Sequence, residues 1–302
     1  MEKRLTLVDL FCGCGGLSLG FQNAGFEIAA AYDFWDLAIN IYGKNFSHPV
    51  IKRDLGDLSD LSDIKSFHPD FIIGGPPCQD YSTSGKRDES LGRAALSVAY
   101  ARIVNEIRPL YFFMENVPNM QKGETIKEVN AIFKGAGYGL NQIVLDASLC
   151  GVPQKRLRFI TFGVLGGTDG EALPYFTKNL ASKSMTLRDY FGDSLGFQYY
   201  FRVPTSYKRR GIYSIDEPSM TIRGVDRPVP KGYPGHPADP VPMSAEIRSL
   251  TCHERSMIQT FPSDYIWEGA KTQLNQAIGN AVPVKFAEYI ANSIKQFIDE
   301  TC

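Results

Sequence analysis

The chain has 302 residues, 43% of them hydrophobic, and a formal net charge of −1 at pH 7. That is material for about two domains at roughly 100–200 residues each, but it supplies no global basic field for a polyanion, so any nucleic-acid surface must be local. The start, Met1-Glu2-Lys3-Arg4-Leu5, lacks the apolar core of a signal peptide, no later apolar run approaches the roughly 18 residues that span a bilayer, and six scattered cysteines complete no zinc set; a soluble cytoplasmic protein without metal or disulfides is expected.

From residue 5 to about 165, short apolar runs alternate with longer amphipathic ones, the pattern of a parallel sheet flanked by helices. Leu5 to Leu10 reads as a first strand and Gly16 to Ala24 as a helix closed by Gly25. Between them lies Phe11-Cys12-Gly13-Cys14-Gly15-Gly16, a glycine turn that lets a ligand approach the backbone and the helix N-terminus. It is not the Gly-x-Gly-x-x-Gly of dinucleotide enzymes. Phe26 to Tyr32 is a second strand, followed by a helix to about Lys44. Asp33 falls 17 residues after Gly16, close to the roughly 20-residue offset at which a carboxylate takes ribose hydroxyls. Phe34 is placed to lie against an adenine face, and Asp54, after Val50-Ile51, to accept from an adenine amino group. The local alternatives are a helix N-cap for Asp33 and a core position for Phe34. Together the three specify a nucleoside and supply nothing for a pyrophosphate, so S-adenosylmethionine fits better than a nicotinamide cofactor.

Asp70 to Ile73 is the next strand, and it leads through Gly74-Gly75 into Pro76-Pro77-Cys78-Gln79. Two prolines fix φ and remove donors, so the Cys78 thiol is expected on a stiff turn at the carboxyl edge, where an open α/β sheet presents its reacting groups. The alternative is a buried structural cysteine. A helix from about Gly92 to Ile107 ends before Pro109. The strand Tyr111 to Met114 runs into Glu115-Asn116-Val117, which brings Glu115 to the same edge as Cys78. A carboxyl group beside a thiol, in a cleft dry enough to lift its pKa, is a general-acid arrangement. A helix around Thr125 to Lys134 and strands at Gln142 to Leu145 and Leu157 to Phe162 complete the series. The last opens with Gln154-Lys155-Arg156-Leu157-Arg158, whose two arginines share a face and can aim two forks into one site.

After Gly166-Gly167 the helical period disappears, and Pro, Gly, Tyr and Arg become dense up to about Arg248, which predicts a second, irregular or β-rich lobe. From Arg202 to Lys231 seven bases face three acids, and tyrosines at 199, 200, 207, 213 and 233 interleave with them. Such a lobe suits phosphates and bases; an ordinary solvated face is the alternative. The turn Gly279-Asn280-Ala281-Val282-Pro283 precedes a helix at Lys285 to Ile298, expected to pack back on the first lobe. The expected division is 1–166 for catalysis and cofactor, 167–262 for target recognition and 263–302 for the returning segment.

Taken together, Asp9-Leu10-Phe11-x-Gly13-x-Gly15-Gly16, Pro76-Pro77-Cys78-Gln79, Glu115-Asn116-Val117, Gln154-x-Arg156-x-Arg158 and Gly279-Asn280 occur in an order and spacing that resemble the DNA (cytosine-5) methyltransferases. The resemblance implies a Rossmann-like S-adenosylmethionine-dependent sheet with helices on both faces, and methyl transfer to C5 of a cytosine in a short double-stranded DNA sequence. In that reading the Cys78 thiolate attacks C6, Glu115 hydrogen-bonds or protonates N3, Arg158 holds O2, Arg156 orders the site and Asn116 supports the loop carrying Cys78. Since C6 is inaccessible in a stacked duplex, the base must be flipped out. The segment Asp80 to Arg87 is the mobile candidate, with Ser82, Ser84, Lys86 and Arg87 meeting phosphates and Gln79 counted with them. Cofactor contacts by matching position are Phe11, Gly13, Asp33, Phe34, Asp54, Leu55, Pro77, Leu96, Asn280 and Val282. Thr221-Ile222 resembles the dipeptide that presents base-reading loops, with Arg202, Arg223 and Arg227 as candidates for guanine or phosphate contacts. His253 stands where the family carries an arginine, which puts ionic anchoring between the lobes in doubt. A bacterial restriction-modification setting with a partner nuclease, and a monomeric enzyme, are expected. An RNA (tRNA) cytosine methyltransferase is the first rival, although the Cys-Phe-Thr run of that relative is absent; a catalytically silent DNA-binding relative is the second, and a nicotinamide dehydrogenase a remote third.

Overall fold

The computed structural model describes residues 5–77, 94–206, 209–244 and 246–301. Cys78, Gln79, Ser82, Ser84, Lys86 and Arg87, with Tyr207 and Lys208 of the basic lobe and the expected helix start at Gly92, lie outside the described residues. The elements in chain order are β1 (Thr6–Leu10), α1 (Gly16–Asn23), β2 (Glu27–Asp33), α2 (Asp36–Asn45), β3 (Val50–Lys52), α3 (Ser62–Lys65), β4 (Phe71–Gly74), α4 (Ala94–Ile107), β5 (Tyr111–Asn116), α5 (Thr125–Gly135), β6 (Tyr138–Asp146), β7 (Gln154–Lys155), β8 (Leu157–Leu165), α6 (Leu173–Thr177), α7 (Leu187–Phe191), β9 (Tyr199–Phe201), β10 (Ile212–Ser214), β11 (Ser219–Met220), α8 (Cys252–Ile258), α9 (Lys271–Asn280) and α10 (Val284–Thr301).

Seven strands form one sheet in the order β3-β2-β1-β4-β5-β8-β6. Strands β1 to β5 are parallel to one another, as the βα alternation predicts. β8 is not: it runs antiparallel to both β5 and β6, a reversal that the parallel-sheet pattern of the sequence does not show. The reason lies in the connection. Between Asp146 and Leu157, which face each other in the register, the chain has no crossover helix, and only antiparallel strands can be joined that way.

Side-chain alternation assigns the two faces. Leu7, Phe71, Ile73, Tyr111 and Phe113 point into one core with Leu17 and Phe21 of α1 and Phe286, Ile290, Ile294 and Phe297 of α10. Val8, Ile72, Phe112 and Met114 point into the other with Tyr100 and Val104 of α4 and Val129 and Phe133 of α5. The long apolar stripe of α10 therefore closes the sheet on the α1 side. This closure requires two small residues, because a Cβ on Gly16 would collide with the Val282 carbonyl and one on Gly20 with the backbone of α10 at Glu288. Ala172 and Phe176, beyond the boundary expected at 166, also pack in the α1–α10 core.

The remainder of 167–250 is largely irregular, with one-turn helices α6 and α7 and short strand pairs: β9 with β10, and β11 with β7. Its own core of Leu187, Tyr200, Tyr213, Ile215 and Ile222 is shared with Leu250, Ile258 and Ile278, so the segment after 250 packs on both lobes. No helix among the described residues is long and apolar enough to cross a membrane.

Candidate active site

Register places the carboxyl ends of β1, β4 and β5 side by side, with Leu10 opposite Gly74 and Gly74 opposite Met114. Tyr100 holds the last two strands together, its hydroxyl lying 3.1 Å from the Ile72 carbonyl and 2.9 Å from that of Phe113. Gly74 must be a glycine there, since a Cβ would press on the Leu10 carbonyl and the Tyr100 ring. One residue further, the Glu115 carboxylate lies over Gly75, 3.4 Å from where a Cβ would stand. Asn116 is buried beside it; its Nδ2 donates to the Pro76 carbonyl at 3.4 Å, and its Oδ1 accepts from the Val117 N–H at 2.8 Å. The carboxamide thus ties the end of β5 to the Pro76-Pro77 turn that precedes Cys78.

Ile160 is the residue opposite Glu115 on β8, which makes Arg158 its diagonal neighbour on the same face. The Arg158 Nε lies 2.6 Å from Glu115 Oε1, and both side chains are only 12% exposed. Arg156 does not join them. It sits between β7 and β8, fully buried, and donates from Nη1 to the Ile222 carbonyl at 3.0 Å and from Nη2 to the carbonyls of Gly279 and Ala281 at 3.1 and 3.0 Å. The expectation that both arginines aim into one site is corrected: β7 pairs with β11 rather than with the main sheet, so alternation does not carry across the junction. Loss of solvation and the nearby Arg158 charge hold the Arg156 guanidinium well below its ordinary basicity.

On the neighbouring flank the glycine turn takes left-handed backbone at Phe11, Gly13 and Gly15, with φ of 60°, 55° and 87°. The Gly13 N–H donates to Asp33 Oδ2 and the Trp35 N–H to Asp33 Oδ1, both at 2.8 Å. Asp33 therefore braces the turn, and Trp35 rather than Asp33 is the N-cap of α2; each carboxylate oxygen keeps a further acceptor site. Space beside Gly13 is open to at least 4 Å. Phe34 projects next to it, 65% exposed, with Lys52 above its ring. Asp54 is exposed and accepts from the Gly56 N–H at 2.9 Å, Leu55 is buried, and Leu96 of α4 approaches Gly56. Val282 lies against Gly16, while the exposed Asn280 accepts from Gln276 Nε2 at 2.9 Å. Pro77 is exposed. Cys12 and Cys14 are buried, and burial pushes the Cys14 thiol up to about 12.

Beneath this turn lies a group that sequence reading missed. Asp9 is fully buried on β1; its Oδ2 accepts from Ser18 at 2.6 Å, Ser18 accepts from Tyr42, and Tyr42 lies 2.7 Å from His48 Nε2. Asp9 Oδ1 has no partner among the described residues. Desolvation, against the Ser18 hydrogen bond, lifts the Asp9 carboxyl from 3.8 to about 8, with Asp33 adding to the rise. A carboxyl group raised in the folded state stabilises only while protonated there. Stability is thus fully present below pH 4 and declines as pH rises from about 4 to 8, with a slope of up to about 1.4 kcal/mol per pH unit. Asp9→Asn is expected to lack that slope, as read by chemical denaturation at pH 5, 6.5 and 8; parallel wild-type and variant curves would refute it.

In the second lobe Thr221 Oγ1 donates to the Lys155 carbonyl at 2.8 Å and Ile222 is buried. Arg202 donates to the Thr221 carbonyl and Arg223 to that of Val203, each at 2.9 Å, so both spend donors inside the lobe, whereas Arg227 is exposed. His253 is exposed. Anchoring comes instead from Arg255, buried 3.5 Å from Asp226 and bonded to the Arg223 carbonyl, and from Glu254, which pairs with Arg248 while capping α8 with Thr251. Both pairs lie between residues 226 and 255, within the span expected for target recognition, so they fasten α8 to that lobe rather than one lobe to the other.

The strand order and the antiparallel β8 set between β5 and β6 define a Rossmann-like methyltransferase sheet. The family model described as C-5 cytosine-specific DNA methylase matches residues 5–296. Among curated relatives, Type II methyltransferase M.HindV of Haemophilus influenzae is 52% identical over 298 residues, covering 98% of each chain, and Type II methyltransferase M.HgiDI of Herpetosiphon aurantiacus is 49% identical over 297, covering 98% of this chain and 96% of that one. The Dnmt2 methyltransferase of S. pombe shares the fold, with a TM-score of 0.73 at 18% identity over 99% of both chains. The chain belongs to the C-5 cytosine-specific DNA methylase family, and it is an enzyme, a DNA (cytosine-5) methyltransferase.

Proposed function

We propose that this enzyme transfers the methyl group of S-adenosylmethionine to C5 of a cytosine in a specific short double-stranded DNA sequence, through a transient bond between Cys78 and C6 of a flipped base. The observation that carries the reading is the Glu115–Arg158 pair, 2.6 Å apart over Gly75, on the turn whose next residues are Pro76, Pro77 and Cys78. Methyltransferases of this family use S-adenosylmethionine, which supplies an electrophilic methyl group on a sulfonium. The residues present fit it: an exposed aromatic at Phe34, acceptors at Asp33 and Asp54 for ribose and adenine, and open backbone at Gly13. Phe11, Leu55, Pro77, Leu96, Asn280 and Val282 complete the proposed contacts.

Cytosine C5 is a feeble nucleophile until C6 is saturated. The Cys78 thiolate adds to C6, forming the Sγ–C6 bond, while Glu115 hydrogen-bonds or protonates N3 and Arg158 donates to O2, so the electron pair is delivered to C5. After methylation, loss of the C5 proton returns an electron pair to the ring and expels Cys78. Asn116 steadies the Pro76 carbonyl throughout. Removing the base from the stack costs a few kcal/mol, met in this reading by contacts from Gln79, Ser82, Ser84, Lys86 and Arg87 on one side and from Thr221, Arg202, Arg223 and Arg227 on the other; Ile222, counted with them from sequence, is buried in the lobe core and holds its neighbours in place instead. Lobe limits of 1–166, 167–262 and 263–302, a single-chain enzyme, and a paired restriction endonuclease belong to the same proposal, the last supported by the relatives' Type II names.

Bisulfite sequencing of DNA from cells expressing the protein is expected to show one short motif methylated at a fixed cytosine. Methyl transfer to tRNA equal to or above that to duplex DNA would favour the RNA reading instead.

A further inference from the structure

Ile222, in the middle of the recognition segment, has both of its backbone polar groups taken by side chains from outside the lobe. Its N–H donates to Gln154 Oε1 at 2.8 Å and its carbonyl accepts from Arg156. Gln154 Nε2 donates to Gln259 Oε1 at 2.7 Å, and Gln259 Nε2 donates to the carbonyls of Ile278 and Ala281 at 2.6 and 3.1 Å. Both glutamines are 0% exposed. The relay thus ends on the turn between α9 and α10, whose Val282 carbonyl abuts Gly16 of the glycine turn. A second tie runs alongside, because Gly279 and Gly224 are packed backbone to backbone, too close for a Cβ on Gly279.

The polarity of this chain is set at one end. A backbone N–H can only donate, so Gln154 must turn its oxygen to Ile222 and its nitrogen to Gln259, and Gln259 must then turn its nitrogen to the two carbonyls. Neither amide can flip without leaving buried donors facing donors, and both side chains are cut off from bulk solvent, which makes a lost bond costly. A displacement of Ile222 is therefore passed on rather than absorbed.

We propose that Gln154 and Gln259 are positioning residues that couple duplex engagement at Thr221 to Arg223 with the cofactor segment Asn280 to Val282, so that target DNA tightens the methyl donor and the donor tightens DNA. This rests on the functional reading above, and reciprocity of the two effects follows from linkage. The test uses the full chain, S-adenosylhomocysteine as probe, and a duplex carrying the motif found by bisulfite sequencing. Calorimetry is expected to show the probe binding about 10-fold more tightly in the presence of duplex, within the usual range of such couplings. In Gln259→Met, which keeps the volume and removes the amide, the enhancement falls to about twofold or less while affinity without duplex stays within about threefold. Gln154→Met gives the same loss, and the double variant is no worse than either single, as links of one chain require.

Equal probe affinity with and without duplex in the wild type overturns the proposal by itself, whatever the variants do. So does a folded variant that keeps the enhancement, or one in which binding weakens equally in both states, the mark of a merely structural role. Should Gln259→Met not fold, Gln154→Met and the wild-type comparison decide. A protein that methylates no DNA fails the functional reading at the earlier step, whereas one that methylates DNA without coupling fails this inference alone.

Discussion

Methyl transfer by the Cys78→Ser variant is expected to fall by about 10³-fold or more, the scale on which covalent catalysts lose a nucleophile. A thiol near pKa 8.5 has a few per cent thiolate at neutral pH and is intrinsically very nucleophilic, whereas a serine hydroxyl needs a strong neighbouring base. No such base is needed for the sulfur, and Glu115, whose carboxylate lies over Gly75 at the start of the Pro76-Pro77 turn, is paired with Arg158. The variant should still bind duplex and donor. Wild-type protein should form a denaturation-resistant adduct with duplex containing 5-fluorocytosine, because fluorine at C5 cannot leave as a proton, and Cys78→Ser should form none. Undiminished methylation by the serine variant would remove the covalent mechanism.

Glu115→Gln carries the second large effect, a loss of about 10²–10⁴-fold, the usual contribution of a positioned acid or base. Two causes combine. The amide cannot deliver a proton to N3, and Arg158, 12% exposed, loses the carboxylate held at 2.6 Å. Arg158→Ala removes the other half of the same pair, so the double variant should be far less impaired than the product of the two single losses. Rates of adduct formation with 5-fluorocytosine duplex separate these effects from DNA binding: both single variants should bind duplex with little change yet form the adduct slowly. A Glu115→Gln enzyme forming adduct at the wild-type rate would take Glu115 out of the chemistry.

Most of the first lobe was legible because its strands are apolar and several, such as β1, β4, β5 and β8, are followed within a few residues by glycine or proline, and because the faces of a strand alternate residue by residue. Leu7 and Val8 entering opposite cores is that rule at work. The turn around Gly13 and the paired ends of β4 and β5 were legible for the same reason, since a carboxyl edge follows from strand direction alone. Where alternation was extended past a strand end it failed: Arg156 belongs to the junction with β7 and ties Ile222 to Gly279 and Ala281. The irregular lobe offered composition without period, so its anchors were not readable. Arg255 is buried against Asp226 while His253, two residues earlier, is exposed, and only the direction in which α8 faces decides between the two positions. Asp9 gave a local signal only as part of a motif; its raised carboxyl comes from being enclosed between β1, α1 and α2.

By itself, then, the order of residues determined the sheet's parallel half, the place of the glycine turn and the meeting of the ends of β4 and β5 at one edge, because these depend on periodicity and chain direction within a few dozen residues. Only the tertiary structure decided that β8 reverses, that Arg158 alone reaches Glu115, and that Gln154 and Gln259 join the recognition segment to the last helix turn. Those outcomes depend on contacts between segments as much as 125 residues apart, Arg156 with Ala281 being one, and a buried polar group takes whichever partner the packed chain brings within reach.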